Sequence, residues 1–182
     1  MSDSLQPLDL FQLDNRVAIV TGASSGLGDR FARVLHAVGA NVVVTARRAD
    51  RLEALAAELN SLRPDSAVVV TADISLEADR ERIVNDTLAT YGSVGVVVNN
   101  AGVGGQVAIE NEALDAFRRS MEINVTALWH LSKLCAPSMI ESGGGSIINI
   151  ASMLGHVASS PVKQAHYSAS KGAVVNLTRE LA

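Results

Sequence analysis

A single cysteine, Cys135, stands in the whole chain. That excludes an internal disulfide, and such sparing use suits a reducing compartment. Aromatic residues make up only 3% of the sequence, so the core must be aliphatic. Positive charge is not in excess: 15 Lys and Arg stand against 19 Asp and Glu, a formal net charge of −4. No basic field is left to hold nucleic acid. No uncharged apolar run reaches the roughly 18 residues that a membrane-spanning helix needs. The opening Met1-Ser-Asp-Ser4 lacks the basic-then-apolar pattern of a secretory signal. The histidines, at 36, 130, 156 and 166, show no zinc-ligand spacing with Cys135 or with each other, so no metal site is expected. The expectation is a soluble, cytoplasmic protein with no nucleic-acid or membrane partner.

What is present points to an α/β domain. The 182 residues are 48% hydrophobic and 19% charged, a length suited to one domain and a composition suited to buried parallel strands faced by helices. Val17-Ala-Ile-Val20 reads as a strand buried on both faces. Glycines follow at 22, 26 and 28, and then Leu27, Phe31, Val34, Leu35 and Val38 recur with helical period up to Gly39, a left-handed helix cap. Strand, glycine turn and helix lay a helix N-terminus against a phosphate. Here Gly22 turns the chain, Gly26 admits a pyrophosphate and Gly28 packs helix on strand. The Gly-x-x-x-Gly-x-Gly spacing departs from the commoner Gly-x-Gly-x-x-Gly, and a structural turn that merely needs glycine remains the alternative.

Further apolar runs at 41–45, 67–71, 94–98 and 146–150 predict four more strands, separated by helical patterns. Asp50 and Glu53 form a capping-box pair for a helix burying Leu52, Leu55, Ala56 and Leu59. A helix from near Ser75 to Gly92 turns Ile83, Val84 and Leu88 inward. Residues 111–141 read as two helical pieces loosened by Pro137, and a last helix begins near Gln164 and still runs at Ala182. There is no repeat or interdomain linker. Strict alternation predicts right-handed crossovers and a doubly wound parallel sheet. The final helix has no cap, which marks either a short product or a fragment.

Ligands of open α/β sheets bind beyond the carboxyl ends of the strands. That rule selects residues 22–28, 46–48, 73–74, 99–102 and 151–152. No Asp or Glu occurs from 41 to 49, whereas Arg47 and Arg48 do. A 2′-phosphate wants a cation, so NADP(H) is favoured over NAD(H); exposed arginines on a surface helix are the alternative. Asp73 either accepts from an adenine amino group or anchors the next helix. Tyr167 and Lys171, four residues apart, share a helix face. Any helix offers such pairs, but this helix follows the strand that delivers Ser152 to the same edge. A phenol ionises near pH 10, and lowering that by about three units takes roughly 4 kcal/mol. An ammonium at about 4 Å and an effective dielectric of about 20 supplies energy of that order. Tyr167 can therefore trade protons with an alcohol or carbonyl whose oxygen Ser152 holds. His36 and His130 read as packing or surface residues, His156 and His166 as substrate-pocket candidates, and Trp129 as core or interface.

Thr21-Gly22-Ala-Ser24-Ser25-Gly26-Leu27-Gly28, Asn99-Asn100-Ala101-Gly102, Ser152 and Tyr167-Ser-Ala-Ser-Lys171, in that order, resemble the short-chain dehydrogenase/reductase family over about residues 13–182. The resemblance implies a Rossmann-type sheet of order 3-2-1-4-5 and an NAD(P)(H)-dependent oxidoreductase. It implies Tyr167 as acid–base, Lys171 on the nicotinamide ribose, Ser152 on the substrate oxygen and Asn124 in a proton relay. Gly22, Ser24, Ser25, Gly26, Leu27, Gly28, Arg47, Asp73, Ile74, Asn100, Ala101, Gly102, Tyr167 and Lys171 would then line the cofactor site. It further implies a homodimer or homotetramer built through helices at about 112–141 and 164–182. The Ser152–Tyr167 gap is about two residues longer than the family's usual. The family's following strand, cofactor loop, lid and final strand are missing from this single-domain 1–182 chain.

The expected function is hydride transfer between NADP(H), or NAD(H), and a carbonyl or alcohol substrate. Two rivals stand beside it: a catalytically silent dinucleotide-binding module, and an inactive truncated fragment that only associates through exposed helices.

Overall fold

The computed structural model describes residues 10–161 and 163–182. Residues 1–9 of the expected polar lead-in, and Val162 within the loop of residues 153–163, lie outside the described residues. In chain order the elements are β1 (Val17–Thr21), α1 (Gly26–Ala37), β2 (Asn41–Ala46), α2 (Ala49–Leu62), β3 (Ala67–Thr71), α3 (Glu77–Tyr91), β4 (Val96–Asn99), α4 (Leu114–Met121), α5 (Ala127–Glu141), β5 (Ser146–Asn149) and α6 (Ala165–Glu180). The strands form one parallel sheet of order β3-β2-β1-β4-β5, as the resemblance implied.

Valine-rich strands suit a pleated surface covered on both sides, and successive side chains point to opposite faces. Ala18, Val20, Val42 and Val44 face one core with Leu52, Leu55 and Leu59 of α2. Val17, Ile19 and Val43 face the other with Ile83 and Val84 of α3 and Leu131, Cys135 and Met139 of α5. Ile19 is in register with Val43 on one side and Val97 on the other. The chain builds outward from β1 to β3, then returns to place β4 on the opposite side of β1. That reversal opens a crevice above the ends of β1 and β4.

Several local expectations are corrected. In α1, Leu27 and Val34 are exposed, at 61% and 49%, and the buried face is Gly28, Ala32 and His36. Small residues win that face because the helix lies close to its strand: a methyl group on Gly28 would fall 2.3 Å from the Gly22 carbonyl oxygen. The Asp50–Glu53 capping box is not formed, since α2 begins at Ala49 and Arg48 takes the cap position. Asp50 instead places its carboxylate in the first turn, where the helix dipole favours it. α3 starts at Glu77 rather than near Ser75. The break between α4 and α5 is a π-helical turn at Glu122–Thr126, whereas Pro137 lies within α5. α6 ends at Glu180. Trp129 is 41% exposed, with the Lys133 ammonium 5.5 Å from its ring centre.

Candidate active site

At the switch point between β1 and β4 lies a cavity of about 650 Å³, whose walls are the segments that follow the first four strands. Its floor is made rigid by Thr21. The Thr21 hydroxyl donates to the Val98 carbonyl (3.2 Å) and accepts from the amides of Asn100 (3.0 Å) and Ala101 (2.9 Å). Gly22 turns with φ +68°, and a methyl group there would meet the Asn100 amide nitrogen at 2.8 Å. The Asn100 side chain donates to the Thr21 carbonyl at 2.8 Å, so it braces the turn while lining the cavity.

Two guanidiniums border this space. Arg47 is exposed and lines the cavity. Arg48 reaches back over the glycine turn, donating to the Ser24 hydroxyl at 2.8 and 3.1 Å and to that of Ser25 at 2.7 Å. The Asp73 carboxyl is held below its usual range, first by the Ser75 hydroxyl (2.7 Å) and amide (3.0 Å), then by the charges of Arg47 and Arg119. Asp73 therefore organises its own turn and does not cap α3. Thr45 lines the cavity, and its buried hydroxyl has no hydrogen-bond partner among the described residues. An orphaned hydroxyl, two guanidiniums and a glycine turn opening a helix make a donor set that fits an anionic dinucleotide. Leu27, Ile74, Ala101 and Gly102 also border the cavity, whereas Gly26 and Gly28 shape the turn without lining it.

Two of the acid–base candidates, Asn124 and Lys171, lie next to Gly102. A methyl group on Gly102 would lie 3.3 Å from the Asn124 side-chain oxygen and 3.6 Å from the Lys171 ammonium. Lys171 is only 5% exposed, donates to the Ile150 carbonyl at 2.6 Å, and has its ammonium 5.6 Å from the centre of the Tyr167 ring. Burial pushes the Lys171 pKa below its ordinary value. Asn124, on the π-helical turn, accepts from the Val103 amide and donates to the Val103 carbonyl and the Ser170 hydroxyl, each at 2.8 Å. Ser170 in turn donates to the Tyr167 carbonyl at 2.8 Å. The half-buried Ser152 hydroxyl accepts from the Leu154 amide at 3.2 Å and starts the turn Met153–Gly155. That turn packs on α6, where a methyl group on Gly155 would come 2.7 Å from the Lys171 carbonyl oxygen.

The sequence therefore located most of these groups but missed others. Arg48 was visible only as a neighbour of Arg47, and Thr45 only as a strand residue. Nothing local to Ser170 pointed to Asn124. Gly104 lies against the Tyr167 ring, where a methyl group would be 2.8 Å from Cδ2. His166 is buried, with its Nδ1 paired to the Glu112 carboxylate, while His156 is exposed. His36 bonds Ser66 at 2.7 Å, and His130 meets the Arg80 guanidinium at 3.1 Å. Among the described residues no group of three His, Cys, Asp or Glu is placed to hold a metal, and no helix is long and apolar enough to cross a membrane.

A family model described as short chain dehydrogenase matches residues 16–182. The 7alpha-hydroxysteroid dehydrogenase of Escherichia coli (strain K12) is 35% identical over 174 residues, 96% of this chain and 67% of that protein. An uncharacterized oxidoreductase of Staphylococcus aureus (strain MRSA252) is 32% identical over 169 residues, 93% of this chain and 71% of that one. Among solved structures, a short-chain type dehydrogenase/reductase from Mycobacterium marinum superposes with a TM-score of 0.92 at 34% identity, over 98% of this chain and 72% of that one. A gluconate 5-dehydrogenase from Burkholderia cenocepacia J2315, in complex with NADP and tartrate, gives 0.89 at 30% identity, over 97% of this chain and 68% of that one.

Proposed function

This chain belongs to the short-chain dehydrogenase/reductase family, and from that premise we propose that it moves a hydride between NADP(H) and a carbonyl/alcohol pair with Tyr167 as its acid–base. The observation that carries the reading is Lys171 and Asn124 beside Gly102, at the rim of a cavity fit for a dinucleotide, with the Lys171 ammonium over the Tyr167 ring. Similar proteins include dehydrogenases, and among their structures a 7 alpha-hydroxysteroid dehydrogenase is complexed with NADH and the gluconate 5-dehydrogenase with NADP.

When bound, the dinucleotide supplies or accepts the hydride. The chain's own groups handle the proton. The Tyr167 hydroxyl gives a proton to the substrate oxygen in reduction and takes it back in oxidation. Ser152 hydrogen-bonds the same oxygen and keeps it within reach. Lys171 is held by the Ile150 carbonyl, and its positive charge favours negative charge on the phenol oxygen. Asn124 fixes the loop at Val103 and, through Ser170, the turn of helix that carries Tyr167.

Preference for NADP(H) over NAD(H) rests on Arg47 and Arg48 together with Ser24, because no acidic residue stands between 41 and 49 to bind a ribose 2′-hydroxyl. Gly22, Gly26, Gly28, Asp73, Ile74, Asn100 and Ala101 complete that site. Self-association through α4, α5 and α6 is part of the same reading, supported by exposed Leu114, Phe117 and Trp129, as is a place in the cytoplasm. The test follows NADPH absorbance over a panel of ketones and alcohols. Tyr167→Phe is expected to lower turnover by about 10²–10⁴ while leaving NADPH affinity in place. Equal rates in the two proteins would remove Tyr167 from the mechanism, and NADPH binding without turnover on any substrate would favour a silent binding module.

A further inference from the structure

We propose that Glu112 is a positioning residue for Tyr167. By gripping both the backbone and the ring of His166, it fixes the first turn of α6 at the height the phenol needs. The proposal rests on the catalytic reading above, but the geometry is independent of it.

The first amides of a helix have no partner within it. The cap residue of α6, Gln164, supplies no side-chain hydrogen bond. Glu112, 54 residues earlier in the chain, does so instead: its Oε1 accepts from the His166 backbone amide at 3.3 Å and is paired with Nδ1 of the same residue. The two side chains are 4% and 5% exposed. Burying a carboxylate is costly unless it is paired. Here that cost falls one residue before the phenol, at a helix end whose dipole favours negative charge.

Glu112 is the last of three pins on one loop. Val103 is held by Asn124 on both its amide and its carbonyl. The Val107 amide donates to the Lys163 carbonyl at 3.2 Å, and Val107 bridges Gln164 in parallel. Between the first two pins, Gly104 lies under the Tyr167 ring with no room for a methyl group. The ring is thus set between a loop and a helix turn that Glu112 ties together. Lys171, one turn further on, is held separately by Ile150. Loss of Glu112 would therefore let the start of α6 fray and carry Tyr167 away from a Lys171 that stays in place. Glu112 does not border the cavity between Arg48 and Gly102, so cofactor affinity has no reason to change.

The test compares the parent chain with Glu112→Met, which keeps bulk but removes the acceptor, and Glu112→Gln, which keeps an acceptor for both His166 donors. Glu112→Met is expected to lower kcat by about tenfold to a hundredfold, with KM for NADPH unchanged and amide exchange raised across residues 163–170 while β1 and β4 stay protected. Glu112→Gln is expected to restore both kcat and protection. A Glu112→Met protein of lower thermal stability but unchanged kcat and unchanged exchange at 163–170 would overturn the proposal, as would Glu112→Gln falling as far as Glu112→Met. If the parent chain turns over no substrate, that result counts against the catalytic reading. The exchange comparison then decides this proposal by itself: raised exchange confined to residues 163–170 supports it, and its absence overturns it.

Discussion

Val17 to Val20 of β1 and Val42 to Val44 of β2 are at most 2% exposed, with aliphatic side chains filling both faces. β5, at the outer edge beyond β4, alternates exposed and half-buried residues, and Ile148 is 41% exposed. At the carboxyl ends of β4 and β5, polar side chains add a second set of links to the strand ladder. Asn99 donates to Asn149 at 2.9 Å and to Ser132 at 3.0 Å, and Asn149 donates to Thr178 at 2.9 Å. The interiors of β1 and β2 gain their order chiefly from burial, which is non-directional. Around the ends of β4 and β5 and the start of α6, hydrogen bonds are added to burial, and they set direction as well as distance. A platform needs only to be stiff, whereas acid–base groups must be aimed, and the aimed groups all lie on the second half.

The sharpest test of that division replaces Lys171, a buried charge of the aimed half. Lys171→Met is expected to lower turnover by about 10²–10⁴ without lowering the urea midpoint. Burial depresses the Lys171 pKa below the ordinary 10.5, so the unfolded chain binds that proton more tightly than the folded one. The resulting penalty is fully present below the depressed value and is relieved as pH rises through it toward 10.5. The parent should therefore gain stability relative to Lys171→Met on the alkaline side. A midpoint that drops sharply in Lys171→Met would make the ammonium part of the stabilising framework and dissolve the distinction.

The converse test is made in the platform. Ile19→Ala is expected to cost about 2–5 kcal/mol, because Ile19 is fully buried between Val43 and Val97. Ile148→Ala on the edge strand is expected to cost less than about 1 kcal/mol. Urea denaturation with unchanged m-values would report both. Comparable losses at the two sites would mean that β5 is packed as tightly as β1.

The same division explains what could be read in the sequence. The platform was legible because its signals are local: four apolar residues before Gly22, and Leu52, Leu55, Ala56 and Leu59 on one helical stripe. The stripe held only in part in α1, where Phe31 and Leu35 pack against the core but Gly28 and Ala32 take the innermost face and Leu27 is turned out, because close helix–strand packing selects small residues over larger apolar ones. At the site, Tyr167 and Lys171 were legible as one turn of helix. Arg48 on Ser24 and Ser25, Ser170 on Asn124, and Glu112 on His166 span 23 to 54 residues. Pairings of that range follow from how the sheet is wound, which no periodicity of single segments reports. The π-helical turn that aims Asn124 likewise has no marker in Glu122-Ile-Asn-Val-Thr126.

Arg48 tests whether the platform carries any aim of its own. Its three contacts to Ser24 and Ser25 hold the guanidinium over the glycine turn, where a 2′-phosphate would replace two neutral hydroxyls with a charged acceptor. Arg48→Ala is expected to weaken NADPH binding by about 1.5–3 kcal/mol, roughly tenfold to a hundredfold, and to leave NADH binding unchanged. Fluorescence titration with the two dinucleotides measures the difference. Equal losses for both would make Arg48 a brace for the glycine turn and shift the discrimination to Arg47.

The smallest expected effect lies in the platform's one buried imidazole. His36 sits on the inner face of α1, bonded to Ser66 at 2.7 Å, and its pKa is pushed below the ordinary 6.5 by burial and then by the nearby charge of Arg63. The unfolded chain therefore binds a proton at this site more readily than the folded chain. Its contribution to stability is intact above 6.5 and is lost as pH falls from there toward the depressed value. The lowered carboxyls of Asp73 and Asp79 act in the opposite half of the titration, below their ordinary 3.8, and leave the window near neutrality to histidine. Urea midpoints measured for the parent and for His36→Gln should converge as pH falls through 6.5 toward the depressed value, the parent being the one that declines. A parallel decline in both would show that His36 is carried by α1 without gating it, and that the aliphatic contacts of Ala32 and Leu35 alone hold that helix to the sheet.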